Sequence, residues 1–413
     1  MTIHVVRTGE TLAAIAEHYG VDPARLAADN TVSGGQLAVG QTLVVRFSRQ
    51  VHAVRAGETL SSIARDYGIS IRQLWRNNWP LGGKETVWPG QVLVISYFEE
   101  KLGPAVFNGY AYPNISPALL AEQLPYLTDL APFTYGITSE GALLPLSDEE
   151  MIAVARLHGT APVLHLSTLT ENGQFSTERA ETVLTDGAMQ AALLTQIADM
   201  VRVKGFAGVD VDFEYLPGYL SGAYAAFLER LRRILRPIGR FLWVALAPKT
   251  SANQRGLLYE GHDYAALDAA VDAALLMTYE WGYTAGPPMA VAPLPNVRAV
   301  LDYAVTELPA EKLLLGVPNY GCPLCRGRPG PNPFPTSRPS SLPCNTALPF
   351  NMTKRPSRPI FTIPPRTVSS TRSGLRTPAA FPPSSALLPN TAFSAAVSGI
   401  SCARFLRYGC LPT

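Results

Sequence analysis

Gly208-Val209-Asp210-Val211-Asp212-Phe213-Glu214-Tyr215 sets three acids at strict two-residue spacing inside an apolar run. Successive side chains of a β-strand point to opposite faces. The spacing therefore predicts Asp210, Asp212 and Glu214 on one face and Val209, Val211 and Phe213 on the other. Lining one face of a buried strand with carboxylates costs desolvation energy unless hydrogen bonds, a metal or a substrate offset it. The stretch reads as a chemical site, with a satisfied structural cluster as the bland alternative.

Outward from this stretch, from about Lys101, apolar strand-like runs alternate with amphipathic helical ones. Strands are predicted at Ala105–Tyr110, Pro132–Gly136, Pro162–Leu166, Phe206–Glu214, Phe241–Ala247, Ala273–Tyr279 and Lys312–Pro318. Helices are predicted at Asp148–Leu157, Met189–Val203, Ala223–Leu235 and Asn296–Glu307. Such repetition predicts an α/β fold, a parallel sheet closed into a TIM (β/α)8-type barrel with its chemistry at the C-terminal strand ends. Seven strands are readable before Gly321, and the eighth is apparently lost. The acidic strand is the fourth, with Glu214 at its C-terminal end.

The bulk numbers exclude more than they specify. A chain of 413 residues with a formal charge of +2 gives no reason to expect nucleic acid or a membrane surface as partner. No run of about 18 apolar residues suggests a membrane span. Met1-Thr2-Ile3-His4-Val5-Val6-Arg7 lacks the charged and then apolar layout of a secretory signal, so synthesis in the cytoplasm is expected.

Residues 2–46 and 51–96 repeat each other. His4-Val5-Val6-Arg7-Thr8-Gly9-Glu10-Thr11-Leu12 aligns with His52-Ala53-Val54-Arg55-Ala56-Gly57-Glu58-Thr59-Leu60, and Ile15, Tyr19 and Gly20 align with Ile63, Tyr67 and Gly68. Each unit reads as a βααβ module: strand, Gly-Glu-Thr turn, two short helices ending near Asn30 or Asn78, and a closing strand. Each resembles the LysM module over its full length. That resemblance implies binding to the N-acetylglucosamine backbone of peptidoglycan or chitin, with Gly9, Thr11, Leu12 and Asn30, and Gly57, Thr59, Leu60 and Asn78, as ligand-loop residues. The alternative is that the glycines only shape turns and the asparagines only cap. A duplicated small module favours avidity along a polymer.

Ala207-Gly208-Val209-Asp210-Val211-Asp212-Phe213-Glu214 resembles the D-G-x-D-x-D-x-E motif of glycoside hydrolase family 18, with Ala207 in place of the first Asp. Met277-Thr278-Tyr279-Glu280-Trp281-Gly282-Tyr283 is similar to the family's M-x-Y-D block, with Glu280 for Asp. With the LysM pair, these variants resemble the branch of spore germination and cortex-lytic glycosylases. The resemblance implies substrate-assisted retention. Glu214 would be the general acid and then the base, and the substrate's acetamide oxygen the nucleophile. Asp212 would orient the acetamide N–H, Asp210 would hold a shared proton behind it, and Tyr279 would bond the acetamide carbonyl. Glu280 would reach the same sugar as a departure from the pattern. Trp281 and Tyr283 are candidate stacking surfaces, with barrel-top packing as the equal alternative. No cofactor and no metal are implied, since alternating acids on one strand make poor evidence for a cation cage. A non-catalytic glycan-binding barrel is the competing reading, and the presence of Glu214 favours the enzyme. The expected partner is spore cortex or a related N-acetylglucosamine polymer, met by a spore-associated monomer.

Residues 322–413 differ from the body at 101–321 and from both modules. They hold 11 of the 34 Lys+Arg, none of the 32 Asp+Glu, all five cysteines and 17 of the 36 prolines. The composition permits a disordered basic tail. Cys322-Pro323-Leu324-Cys325, a single C-x-x-C without a partner pair, is weak evidence for zinc or redox chemistry. Back-translation of Arg366–Ala379 with allowed codons, shifted by two bases, gives D-G-E-Q-H-E-V-W-F-E-D-A-R. The same shift near Ser394–Arg404 permits R-G-G-F-W-N-I-M-R. These look like the missing insertion and eighth strand of the same family, so the tail is read as out of frame after Gly321.

Overall fold

The computed structural model describes residues 1–30, 32, 34–98, 105–282 and 289–318, and the backbone of 401–405. Residues 1–103 form one compact unit, and the barrel sequence forms another.

In the first unit, β1 (Thr2–Val5) pairs antiparallel with β2 (Thr42–Val45) around α1 (Leu12–Tyr19) and α2 (Pro23–Asp29). Likewise β3 (Ser48–Ala53) pairs with β4 (Val92–Tyr97) around α3 (Leu60–Asp66) and α4 (Ile71–Asn77). The Thr11 hydroxyl accepts the Ala14 N–H to start α1, and Thr59 with Ser62 forms a capping box at α3. Ile15, Ala16, Leu26, Leu43 and Val45 fill one module, and Ile63, Ala64, Leu74, Leu93 and Ile95 the other. The repeat extends to side-chain geometry. His4 bridges the Tyr19 hydroxyl (3.2 Å) and Glu10 (2.9 Å), and His52 bridges Tyr67 (3.1 Å) and Glu58 (2.7 Å).

The guanidinium of Arg25 links the two modules. Arg25 on α2 donates to the Asn77 carbonyl and the Tyr97 hydroxyl, both at 2.5 Å, and to Oδ1 of Asn78 at 3.2 Å. Asp29 braces it at 2.7 Å, and Arg46 lies 3.5 Å from the centroid of the Tyr97 ring.

In the second unit, β5 (Ala105–Ala111), α5 (Pro117–Gln123), β6 (Asp129–Pro132), α6 (Glu149–Leu157), β7 (Ala161–Pro162), β8 (Leu164–Ser167), α7 (Thr177–Thr185), α8 (Gly187–Lys204), β9 (Gly208–Asp212), α9 (Ser221–Leu235), β10 (Phe241–Leu246), α10 (Tyr264–Asp268), β11 (Ala273–Leu276), α11 (Leu294–Glu307) and β12 (Leu313–Val317) follow in order. β7 and β8 are one strand interrupted at Val163, which hands its pairing from β6 to β9. The strands from β5 to β12 pair in parallel, as the alternating pattern predicts. The second strand begins earlier than its sequence pattern suggests, at Asp129 rather than Pro132, because its pairing with β5 already starts at Asn108.

The expectation of a lost eighth strand needs correction. The backbone of Ser401–Phe405 forms β13, which pairs antiparallel with both β12 and β5 and closes the ring. The physical reason is that β12 and β5 would otherwise each present an unpaired edge. In a regular (β/α)8 ring this strand would run parallel. The remainder of the segment 322–413, including the out-of-frame reading, lies outside the described residues.

Two apolar layers hold the barrel. Tyr110, Ala131, Val163, Trp243, Ala245, Leu275, Met277 and Leu314 fill the interior. Val209, Val211 and Phe213 of the acidic stretch lie in the outer layer with Leu193, Ile197 and Val201 of α8 and Phe227 and Leu231 of α9. Full burial of each large side chain here contributes roughly 1.5–3 kcal/mol. No helix among the described residues is long and apolar enough to cross a membrane.

Candidate active site

The two-residue period of β9 does what the sequence predicts: its valines face the helices and its acids face the interior. Asp210 is fully buried and Asp212 is 5 % exposed, and Glu214 follows two residues beyond the strand end at the mouth, where it is half-buried. Gly208 starts the strand because the Phe241 ring occupies the place of a side chain; a Cβ there would lie 2.2 Å from it. Ala207, at the position of the missing first acid, is held by its backbone, its N–H bonding the Pro162 carbonyl at 2.8 Å.

A pocket opens above the interior, lined by Tyr110, Phe133, His165, Asp212, Met277 and Tyr279 among others. It unites Asp212 with Tyr279, as expected. Tyr279 reaches it past Gly316, where a Cβ would lie 2.5 Å from the tyrosine ring. Tyr110 donates its hydroxyl proton to Oδ2 of Asp210 at 2.5 Å. Burial pushes Asp210 above the usual carboxylate range, while His165 and the Tyr110 hydrogen bond act to lower it. Glu214 is pushed well above its ordinary value by burial first, then by the negative charges of Asp212 and Glu280. Tyr215 beside it is pushed up to about 12 by burial and by Glu214 and Glu280. Glu280 belongs to the same electrostatic group as Glu214. Tyr215 and Glu280 also take left-handed backbone conformations, with φ of 56° and 67°. Such strain of roughly 1–3 kcal/mol each collects at functional sites.

Other expectations divide. Trp281 packs its side chain against the layer between sheet and helices, which is the packing alternative, and its backbone N–H bonds the Val291 carbonyl. Tyr283 lies outside the described residues. Among the described residues, no cluster of His, Cys, Asp and Glu has metal-site geometry.

In the modules, Gly9 and Gly57 turn the chain at φ of 83° and 84° with open space around them, and Thr11 and Thr59 stand exposed beside them. Leu12 is partly exposed, but Leu60 is buried in its module core. Asn30 and Asn78 serve their own scaffolds. Asn78 donates to the Leu74 and Val94 carbonyls and accepts the Val94 N–H, and Asn30 does the same with Leu26 and Val44. Each pins a helix end to the closing strand. Leu60, Asn30 and Asn78 are thus placed as scaffold rather than as loop surface. Their position after a turn resembles a ligand loop in sequence, whereas burial becomes visible only in three dimensions.

Sequence reasoning missed four residues. Tyr110 and His165 come from strands, and Thr134 from the segment after β6, all far from the acidic motif in sequence, and nothing local marks them. Trp88 is 61 % exposed on the loop before Gly90, whose N–H bonds the Val54 carbonyl and draws the loop against the strand leading to the Gly57 turn. The signal was available for Trp88: module one has Ala38 at the equivalent position.

Comparison with known proteins fits this geometry. A match to the family Glycosyl hydrolases family 18 covers residues 171–329, and matches to the LysM domain cover residues 4–46 and 52–96. The chain is 41 % identical over 331 residues to a cortical fragment-lytic enzyme of Bacillus subtilis (strain 168), covering 78 % of this chain and 75 % of that protein. It is 38 % identical to a cortical fragment-lytic enzyme of Bacillus anthracis, over 77 % and 75 %. The crystal structure of the Bacillus megaterium QM B1551 spore cortex-lytic enzyme SleL superposes with a TM-score of 0.60 at 31 % identity, covering 76 % of this chain and 73 % of that one.

Proposed function

The chain belongs to glycoside hydrolase family 18, and from that premise we propose that it is a peptidoglycan-binding glycosidase acting on spore cortex, which cleaves N-acetylglucosaminyl bonds with Glu214 as general acid and base. The single observation that carries this reading is the placement of Glu214 at the barrel mouth, two residues past the strand whose Asp212 shares a pocket with Tyr279. A carboxyl held above its ordinary range by burial and by Asp212 and Glu280 stays protonated where most carboxyls have ionised, as a general acid must.

The remaining roles follow from position. Glu214 gives its proton to the glycosidic oxygen while the substrate's acetamide oxygen closes on the anomeric carbon. The resulting carboxylate then takes a proton from the water that opens the oxazolinium. Asp212, lining the pocket, accepts from the acetamide N–H and balances the positive charge. Asp210 lies beneath it, and Tyr279 on the same pocket donates to the acetamide oxygen. Residues 2–46 and 51–96 hold the polymer through the Gly9 and Gly57 turns, and residues 101–321 cut it. The protein acts as a monomer and is spore-associated.

A reading as a binding protein with an inactive barrel gains support from β13, which closes the ring in the wrong direction for a regular barrel. Release of reducing ends from cortex fragments separates the two. Release that vanishes in Glu214→Gln supports the hydrolase, and retention on cortex with no release in either protein sinks it. Resequencing codons 315–330 tests the proposed slip of frame after Gly321.

A further inference from the structure

His165 on β8 is 1 % exposed in the barrel interior, and the acid–base roles above leave it unused. Its Nδ1 lies 2.6 Å from the Thr134 hydroxyl. Its Nε2 lies 3.6 Å from Oδ2 of Asp212 and 3.8 Å from Oδ2 of Asp210. The ring is stacked on Phe133 with centroids 4.9 Å apart and stands edge-on to Tyr110 at 5.2 Å.

We propose that His165 is a positioning residue of the glycosidase site, presenting an N–H between Asp210 and Asp212 and so fixing the rotamer from which Asp212 meets the substrate. This rests on the function proposed above. A bare ring nitrogen facing two carboxylate oxygens would be repelled, so Nε2 is the nitrogen that carries hydrogen. Thr134 fixes the other end of the ring, either donating to Nδ1 or accepting from it; both forms leave Nε2–H in place. Phe133 and Tyr110 then leave the ring little freedom to turn.

The near-equal distances are the useful feature. At 3.6–3.8 Å neither contact is a formed hydrogen bond, and a small movement closes either one. Among the described residues, Oδ1 of Asp210 and Oδ1 of Asp212 are buried without a hydrogen-bond partner, so no described group holds either carboxylate fully. When Asp212 turns to the acetamide, Nε2–H remains to accompany Asp210. The titratable groups facing the ring are Tyr110 from β5, Asp210 and Asp212 from β9, and Tyr279 after β11, with the hydroxyls of Thr134 and Ser167 nearby. Among the described pocket residues, His165 is the one able to carry positive charge.

Two substitutions in the full chain separate positioning from packing. His165→Leu fills the space without a donor, and His165→Gln restores an N–H. His165→Leu is expected to lower kcat about 100-fold, the scale for loss of one preorganised donor, with KM little changed and melting temperature and retention on cortex preserved. His165→Gln is expected to recover at least about tenfold of that loss. The low-pH limb should move upward in His165→Leu, because Asp210 loses an influence that lowers it. Equal kcat in the two variants with an unmoved limb, or losses that follow melting temperature, would overturn the proposal. A readout free of turnover is the His165 Nε2–H signal in ¹⁵N-histidine spectra. It should shift in Asp212→Asn, and an unmoved signal overturns the proposal as well. Failure of the glycosidase reading has its own mark: undiminished sugar release by Glu214→Gln.

Discussion

Tyr110 and Asp210, one hundred residues apart in the chain, share a 2.5 Å hydrogen bond across the barrel interior. The phenol donates to a carboxyl that is fully buried and otherwise desolvated. Removing the donor in Tyr110→Phe should raise Asp210 further and leave an oxygen unpaired. We expect a loss of about 1–3 kcal/mol in unfolding free energy and a fall of about tenfold in sugar release. Denaturant unfolding beside kinetics checks both; a variant with unchanged turnover at every pH would take Tyr110 out of the mechanism.

Glu214 gives a prediction with a definite sign. Its folded-state value is raised above the ordinary carboxylate value of 4.5, so the folded protein holds this proton longer than the unfolded chain. The stabilisation this provides is complete below the unfolded value and is lost as pH rises through the folded one. Glu214→Gln removes the titration. The variant should therefore match its parent at acid pH and exceed it in melting temperature toward and above neutrality, while losing turnover. Melting curves that stay parallel from pH 4 to 9 would contradict the raised value.

Asn78 separates scaffold from ligand loop. Asn78→Ala strands the Val94 N–H and two carbonyls in a buried setting, with an expected cost of about 2–3 kcal/mol. Trp75, Trp79 and Trp88 lie in the same module and report its unfolding by fluorescence. If instead stability holds and only cortex binding falls, the side chain touches sugar after all.

Trp88 should behave in the opposite way. Its ring is exposed and its removal leaves no buried group unpaired. Trp88→Ala is expected to weaken retention on cortex about tenfold, the scale for an aromatic anchor, at unchanged melting temperature. Ala38→Trp is the converse variant and should strengthen retention. Identical binding isotherms for all three proteins would rule out a sugar platform at this loop.

The barrel and its acidic strand were legible because period-two alternation survives in β9 whatever surrounds it. Val209 and Val211 face the helices and Asp210 and Asp212 the interior for that reason alone. Tyr110, Thr134 and His165 were not legible, because their roles arise when β5, β6 and β8 converge, and no local pattern carries that information. Asn30 and Asn78 fit either alternative in sequence for a related reason: an Asn that ends a helix beside a turn looks the same whether it faces solvent or closes a scaffold. Trp281 illustrates the limit of aromatic residues as sugar markers, since the same ring serves a core equally well.

Arg25, seated on Asn77, Asn78 and Tyr97, has a consequence for how a polymer is read. Two modules on a slack tether would accept sugars at any spacing the tether allows, at the entropic cost of ordering it on each engagement. Modules locked by a guanidinium make a caliper: once the first grips, the second is already oriented, and only strands whose repeat matches its jaws gain the full avidity. Glycan strands with side groups at the wrong interval would be held by one jaw and released quickly.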